Sequence, residues 1–218
     1  MLTLYHCADA RSFRPLWTLE ELGLDYELKM LPFPPRVLAR EYLQINPLGT
    51  IPTLMDGDTR MTESAAMIEY LIARYGGGEL GVAPTDPDYG AYLNWLHHGE
   101  ATLTFPQTIV LRYTRLEPKE RRIPQAAEDY GKWFIARLRL AEEALSDGRP
   151  FLLGERFTGA DISVSYALQL ATTLGLDERF PPNAAAYWAR LQTRDGFQRA
   201  KASQKAAGEA QGVIRPPV

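Results

Sequence analysis

Two short stretches hold side chains whose types and spacing suit chemistry. The first runs from Asn46 to Ser64 and reads NPLGTIPTLMDGDTRMTES. Its last two residues, Glu63 and Ser64, stand where an amphipathic run begins. A hydroxyl at a helix start, with the unpaired N–H groups of the first turn, makes a small anion site suited to a carboxylate. Glu63 adds an acceptor for an ammonium group. The plainer role for Ser64 is an N-cap worth about 1 kcal/mol, and both roles can hold together. Upstream, Ile51-Pro52 enters a short strand, where a proline also guards a sheet edge against unwanted pairing. Strand edge, anion site and ammonium acceptor together describe a site for a small peptide.

The second stretch, YHCADARS from Tyr5 to Ser12, lies between a strand and the start of a helix. Tyr5, Cys7, Arg11 and Ser12 offer a phenol, a thiol, a cation and a hydroxyl where a helix N-terminus favours negative charge. Each has an ordinary explanation as well. A tyrosine ending a strand packs in a core, a serine caps a helix, and a lone cysteine behaves as a small hydrophobe.

The elements that must position these groups follow from the hydrophobic periodicity. Leu2 to His6 alternates as a strand, and Ala10 to Gly23 takes helical spacing. There Phe13, Leu16, Trp17 and Leu19 form one side and Arg14, Thr18 and Glu21 the polar side. Gly23 supplies the C-cap, and Tyr26 to Met30 is a second strand, parallel to the first. A proline-rich loop with a short helix near Val37 to Tyr42 leads to strand three at Pro52. Asp56-Gly57 turns the chain into strand four, Thr59 to Met61. From Ser64, residues Ile68, Leu71, Ile72 and Tyr75 recur at helical spacing until a run of glycines ends the helix. Residues 1–78 are therefore expected to be an α/β domain, βαβ then ββα, on a mixed four-stranded sheet.

Gly, Pro, Asp and Thr over 79–88 predict a linker, and 89–205 an all-α helical bundle domain, with 206–218 a loose tail ending Arg215-Pro216-Pro217-Val218. Tyr89 to about Leu116 reads as a long aromatic-rich helix with a kink or break at Pro106. Gln125 to Ser146 is helical. Thr158-Gly159-Ala160-Asp161 forms a capping box ahead of Ala160 to Leu174, whose apolar character all round predicts the centre of the bundle. Shorter helices at Ala184 to Leu191 and Asp195 to Ala202 complete it.

Composition narrows the function classes. The chain has 218 residues, 45% hydrophobic and 23% charged, enough for a substantial core in two domains. A net charge of -3 without any Lys/Arg block argues against nucleic acid or an anionic membrane as partner. No apolar run approaches the roughly 20 residues of a bilayer span, and the chain enters a strand with no leader, so a cytoplasmic location is expected. One cysteine excludes an internal disulfide and a Cys-rich metal site, and three histidines suggest no metal cluster.

Taken together, LWTLEELGLDYEL from Leu16 to Leu28, Asn46-Pro47-Leu48-Gly49, Ile51-Pro52-Thr53-Leu54, Glu63-Ser64 and the box reaching Asp161 resemble the glutathione S-transferase family in order and spacing over almost the whole chain. The likeness is to a bacterial member of its cytosolic branch. It implies a thioredoxin-like first domain, a homodimer, and glutathione as co-substrate with no metal. The Ile51-Pro52 bond would be cis, with the Ile51 backbone pairing to the cysteine of glutathione. Ser64 would take the γ-glutamyl carboxylate and Glu63 the α-ammonium.

The implied activity is conjugation of a small hydrophobic electrophile, as in detoxification. The alternatives are a glutathione-dependent thiol oxidoreductase or isomerase of the same fold, or a non-catalytic glutathione-binding scaffold. Activation must lower a thiol pKa of roughly 8.5 by about two units, close to 3 kcal/mol. Counting back from Gly23, the slot of a catalytic serine falls on Asp9 and that of a catalytic cysteine on Arg11, a departure from the family pattern. An ionised Asp9 would repel a thiolate and Arg11 would attract one. Ser12 with support from Arg11 is the favoured catalytic pair, with Tyr5 and Cys7 as rivals. By analogy Phe13, Phe105, Thr108 and Arg112 line the electrophile pocket, and Glu100 reaches the partner's glutathione across the dimer.

Overall fold

The computed structural model describes residues 1–213. By contact the chain divides into two compact units, one of Met1–Gly81 with the chain from Thr193 onward, the other Val82–Gln192. The first unit holds a four-stranded mixed sheet in the order β2-β1-β3-β4. Its strands are β1 (Leu2–His6), β2 (Tyr26–Met30), β3 (Thr53–Asp56) and β4 (Thr59–Met61). β1 runs parallel to β2, with Leu2 opposite Tyr26 and His6 opposite Met30, and antiparallel to β3, with Tyr5 opposite Thr53. The parallel pair requires a crossover, which α1 (Phe13–Glu21) supplies, whereas β3 and β4 need only the hairpin at Gly57, whose φ is 56°. α3 (Ser64–Tyr75) packs beside α1, and Leu4, Leu16, Leu19, Leu54, Met67, Ile68 and Leu71 form the core between helices and sheet. The short α2 (Pro35–Leu38) and a 3-10 turn over Arg40–Gln44 precede β3.

Two expectations change here. Arg14 and Thr18 lie in the core rather than on a solvent face. The reason is that α1 is covered on two flanks, by α3 and by α10 (Asp195–Ala210). Thr18 tolerates burial because its hydroxyl donates to the Arg14 carbonyl at 2.9 Å. α10 also groups with the first unit rather than with the 89–205 bundle, and it is helical through Ala210, so residues 206–210 are not tail. Ion pairs hold it: Arg194 to Glu21 at 2.9 Å, Arg199 to Glu20 at 3.4 Å and Lys201 to Asp9 at 2.5 Å. Beyond its end, the Gln211 side-chain amide spans the β2 edge, accepting from Met30 N–H at 2.9 Å and donating to Leu28 C=O at 2.8 Å. Such pairings join residues about 180 apart, which local periodicity cannot report. The Arg215 to Val218 end lies outside the described residues.

The second unit is all helical, with α4 (Tyr89–His98), α5 (Phe105–Leu111), α6 (Pro124–Arg137), α7 (Arg139–Ala144), α8 (Gly159–Thr173) and α9 (Pro182–Gln192). The chain does not break near Pro106. It widens into a π-helical stretch, Gly99–Thr104, just before the proline, and another, Arg112–Leu116, after α5. A wider turn makes room for a residue that has no N–H and whose ring crowds the preceding turn. Thr104 Oγ1 bonds the Gly99 carbonyl at 2.7 Å. Gly99 is itself obligatory, since a Cβ there would lie 2.4 Å from Ser163 Oγ on α8.

α8 is buried along nearly its whole length, as its composition predicts. Its capping box is complete: Thr158 Oγ1 accepts from Ala160 N–H at 3.3 Å, and Asp161 Oδ2 accepts from Thr158 N–H at 2.8 Å. The same carboxylate accepts from Leu152 N–H at 3.0 Å and from the Tyr187 hydroxyl at 2.8 Å. Burial pushes the Asp161 pKa up while these donors pull it down. Replacing Asp161 by Ala strands four buried donors, the Thr158 hydroxyl included, so Asp161→Ala should cost about 3 kcal/mol in urea unfolding; a loss below about 1 kcal/mol would contradict this account of α8.

Candidate functional site

The loop entering β3 is organised by side chains at its base. Asn46 folds the loop back on itself. Its Oδ1 accepts from Leu48 N–H at 3.1 Å and its Nδ2 donates to the Thr50 carbonyl at 2.8 Å. Gly49 supplies a φ of 59°, and no side chain fits there because a Cβ would lie 2.6 Å from Arg36 Cβ. The Tyr42 hydroxyl also donates to the Thr50 carbonyl at 2.8 Å. Having one proton, it must then accept from Thr53 Oγ1, 2.6 Å away. Two donors thus fix the Thr50 carbonyl immediately before the Ile51-Pro52 bond, which is cis. Ile51 is partly exposed, and among the described residues neither its N–H nor its C=O has a hydrogen-bond partner. A short strip of unpaired strand edge is therefore held rigidly at the end of β3, where an extended peptide can pair.

Ser64 is the first residue inside α3, with Glu63 in the N-cap position and no side-chain cap formed. The capping role considered for Ser64 is therefore replaced by another. Its Oγ accepts from Nη1 of the buried Arg14 guanidinium at 3.2 Å. An oxygen already occupied by a donor leaves its own O–H to give away, so Ser64 presents a hydrogen-bond donor beside the free N–H groups of the first turn. That combination suits a carboxylate. Glu63 is exposed next to it.

The Tyr5 to Ser12 stretch divides into supports and one cation. Tyr5 lies against Tyr42, ring centroids 5.4 Å apart, beneath the loop that Tyr42 holds. Ser12 is fully buried and neither caps α1 nor faces solvent. Its hydroxyl turns back to Cys7, accepting from Cys7 N–H at 3.2 Å and facing the Cys7 carbonyl at 3.3 Å as donor. Cys7 is buried, which raises its thiol pKa to about 12. The thiol therefore stays protonated at neutral pH and is no nucleophile. Asp9 faces α10, bonded to Lys201 and Gln204. Arg11 is half-buried at the start of the turn into α1.

The residues expected to line an electrophile pocket separate. Phe13 is fully enclosed in the first unit, its ring 5.4 Å from Phe197 and 6.3 Å from Trp17, so it offers no surface to a ligand. Phe105 and Thr108 share one face of α5 in the second unit by their three-residue spacing, and Arg112 opens the π-helical stretch that follows it. Phe105 is 51% exposed, Thr108 donates to the Phe105 carbonyl at 2.7 Å, and Arg112 pairs with Glu117 at 2.8 Å. Glu100 stands in the π-helical stretch, half-buried. Among the described residues no cluster of His, Cys, Asp or Glu could hold a metal ion, and no helix is long and apolar enough to cross a membrane.

Tyr42 and Arg14 were not legible as site residues, and Asn46 was legible only as part of a motif. The one local signal was Asn-Pro-x-Gly, a turn in which an Asx side chain commonly bonds its own backbone. For Cys7 the geometry gives a direct expectation: native protein at pH 9 should resist iodoacetamide, and react fully only once unfolded. Rapid alkylation of the native thiol would contradict its enclosure.

The comparisons with known proteins agree with this architecture. Residues 4–79 match the family model described as glutathione S-transferase, N-terminal domain, and residues 125–190 match glutathione S-transferase, C-terminal domain. Glutathione S-transferase 3 of Schizosaccharomyces pombe is 34% identical over 106 residues, 47% of this chain, which spans 43% of that relative's length. Glutathione S-transferase 3 of Zea mays is 27% identical over 198 residues, covering 85% of this chain and 86% of the relative. Among solved structures, the glutathione transferase URE2P6 of Phanerochaete chrysosporium, in complex with oxidized glutathione, superposes with a TM-score of 0.81 at 28% identity, over 94% of this chain and 97% of that one. With both family domains matched in order on a thioredoxin-like sheet unit and a helical unit, the chain belongs to the glutathione S-transferase family.

Proposed function

We propose that this protein is a glutathione transferase that binds glutathione through Ile51 and Ser64 and activates its thiol for attack on a small hydrophobic electrophile. The observation that carries the reading is the cis Ile51-Pro52 edge with both Ile51 backbone groups unpaired, on the same unit as the Arg14-backed Ser64 hydroxyl. The cysteine of glutathione pairs with Ile51 as a one-residue strand. Ser64 and the α3 N-terminus take the γ-glutamyl carboxylate, and Glu63 accepts from the α-ammonium. Pro52 holds the edge in place. The oxidized glutathione in the URE2P6 complex supports glutathione as the ligand.

Chemistry follows from the β1–α1 turn. Ser12 spends its hydroxyl on Cys7, and Cys7 is protonated. Tyr5 supports Tyr42. Arg11 is therefore the group we assign to the thiolate: a cation at the helix entrance favours the ionised sulfur over the thiol. Phe105 and Thr108 of α5, with Arg112 just after it, form the electrophile wall, and the functional protein is a cytoplasmic homodimer in which Glu100 approaches the partner's glutathione. A second reading, glutathione binding without turnover, draws on one observation: the hydroxyl nearest the turn already has its proton engaged.

Titrating glutathione calorimetrically and following its bound thiolate by ultraviolet absorbance, together with a chlorodinitrobenzene conjugation assay, tests the reading. Ser64→Ala should weaken binding about tenfold, the loss of one hydrogen bond to a charged group. Arg11→Leu should leave binding near wild type, raise the bound thiol's pKa by about one unit, and lower conjugation about tenfold. Binding that ignores Ser64 would overturn the ligand assignment; tight binding with no turnover on a wide electrophile panel would favour the second reading.

A further inference from the structure

Asp9 stands where an acid is least welcome, in the turn assigned to thiolate stabilisation, and its φ of 54° is left-handed. Its surroundings resolve the conflict. Gln204, 7% exposed on α10, brackets it twice: Gln204 Nε2 donates to Asp9 Oδ1 at 2.8 Å, and Gln204 Oε1 accepts from Asp9 N–H at 3.1 Å. A carboxylate only accepts, so the amide orientation is fixed by chemistry. Gln204 Oε1 also lies 2.9 Å from His6 Nε2, which must then carry the hydrogen. The imidazole is wholly buried and neutral, burial lowering its pKa to about 4. Lys201 Nζ reaches the same Asp9 oxygen at 2.5 Å, over the rings of Phe13 at 5.1 Å and Phe197 at 5.7 Å. One helix turn near the C-terminus thus grips both ends of the turn after β1, at His6 and at Asp9.

We infer that Lys201 and Gln204 of α10 are positioning residues for thiol activation, neutralising the Asp9 carboxylate and fixing the turn that carries Arg11 and Ser12. The inference rests on the reading of that turn as the thiol site. Without Lys201 the Asp9 carboxylate loses a cation that neutralises it, and its charge disfavours the thiolate, opposing Arg11. Beside Arg11, the other titratable groups of the turn carry no charge, since His6 is neutral and Cys7 stays protonated. Affinity for glutathione in its thiol form, set at Ile51 and Ser64, is left alone, so the defect is in ionisation and turnover.

The test is the thiolate titration of bound glutathione in Lys201→Met, Asp9→Asn and the double variant, with glutathione affinity and thermal midpoint measured alongside. Asparagine keeps the acceptor for Gln204 and tolerates a left-handed backbone. Lys201→Met should raise the thiol pKa by about one unit, with glutathione affinity unchanged when measured well below that pKa, where the bound thiol is protonated in both proteins. Adding Asp9→Asn should restore the wild-type pKa. A purely structural role for Lys201 would lower the thermal midpoint without this rescue, and that result would overturn the inference, as would an unshifted pKa in Lys201→Met. If that variant does not fold, Lys201→Gln keeps a donor without the charge and carries the same expectation. A wild-type protein that binds glutathione without lowering its thiol pKa would instead overturn the reading of the turn, and the inference with it.

Discussion

The Thr50 carbonyl, held by the Tyr42 hydroxyl and the Asn46 amide, fixes the backbone on which the proposed binding depends. A residue on a sheet edge normally finds partners or is shielded, because unpaired backbone groups are aggregation-prone. Here the preceding carbonyl is doubly bonded and the following residue is a proline without an N–H, so Ile51 alone faces outward. The site is a single rigid step of strand, long enough for one residue of a peptide and too short to recruit another chain. The sheet behind it supplies stiffness: β3 lies between β1 and β4, and Tyr5 on β1 props Tyr42 from below.

The second constraint is the burial of polar groups on α1. A guanidinium with no solvent contact carries a large desolvation cost unless it is bonded. Arg14 meets that requirement partly through Ser64, which in turn gains a fixed polarity: it accepts from within and donates outward. Core packing and the proposed carboxylate contact therefore share one hydrogen bond. The same logic explains α10, whose cations and amides meet the carboxylates of Asp9, Glu20 and Glu21. A helix joined to the chain at its far end becomes part of the first unit because charge complementarity and the Gly196 approach to Glu21, where a Cβ would lie 2.4 Å from the carboxyl carbon, leave it no better surface.

How much of this was readable in the sequence follows from the range of the interactions. The βαβ-ββα order, the Asp56-Gly57 hairpin and the Thr158–Asp161 capping box depend on residues a few positions apart, and they stand as expected. Ile51-Pro52 and Glu63-Ser64 were legible for the same reason. Arg14 and Thr18 were placed on the polar side because periodicity marks one apolar stripe, whereas α1 is covered on a second flank by a helix starting at residue 195 and both residues are buried. Pro106 signalled a kink or break, and the chain carries a π-helical stretch just before it. Ser12, Cys7 and Phe13 were chemically reasonable candidates whose environments, set by Pro32, Phe197 and Lys201, lie beyond local reading.

Central to the account is that Ile51 offers an unpaired backbone edge to glutathione. Amide hydrogen exchange at Ile51, followed by NMR with and without saturating glutathione, reads that edge directly. The account predicts an Ile51 amide that exchanges readily in the free protein and slows at least tenfold when glutathione is bound. An Ile51 amide whose exchange is unchanged by saturating glutathione would contradict it.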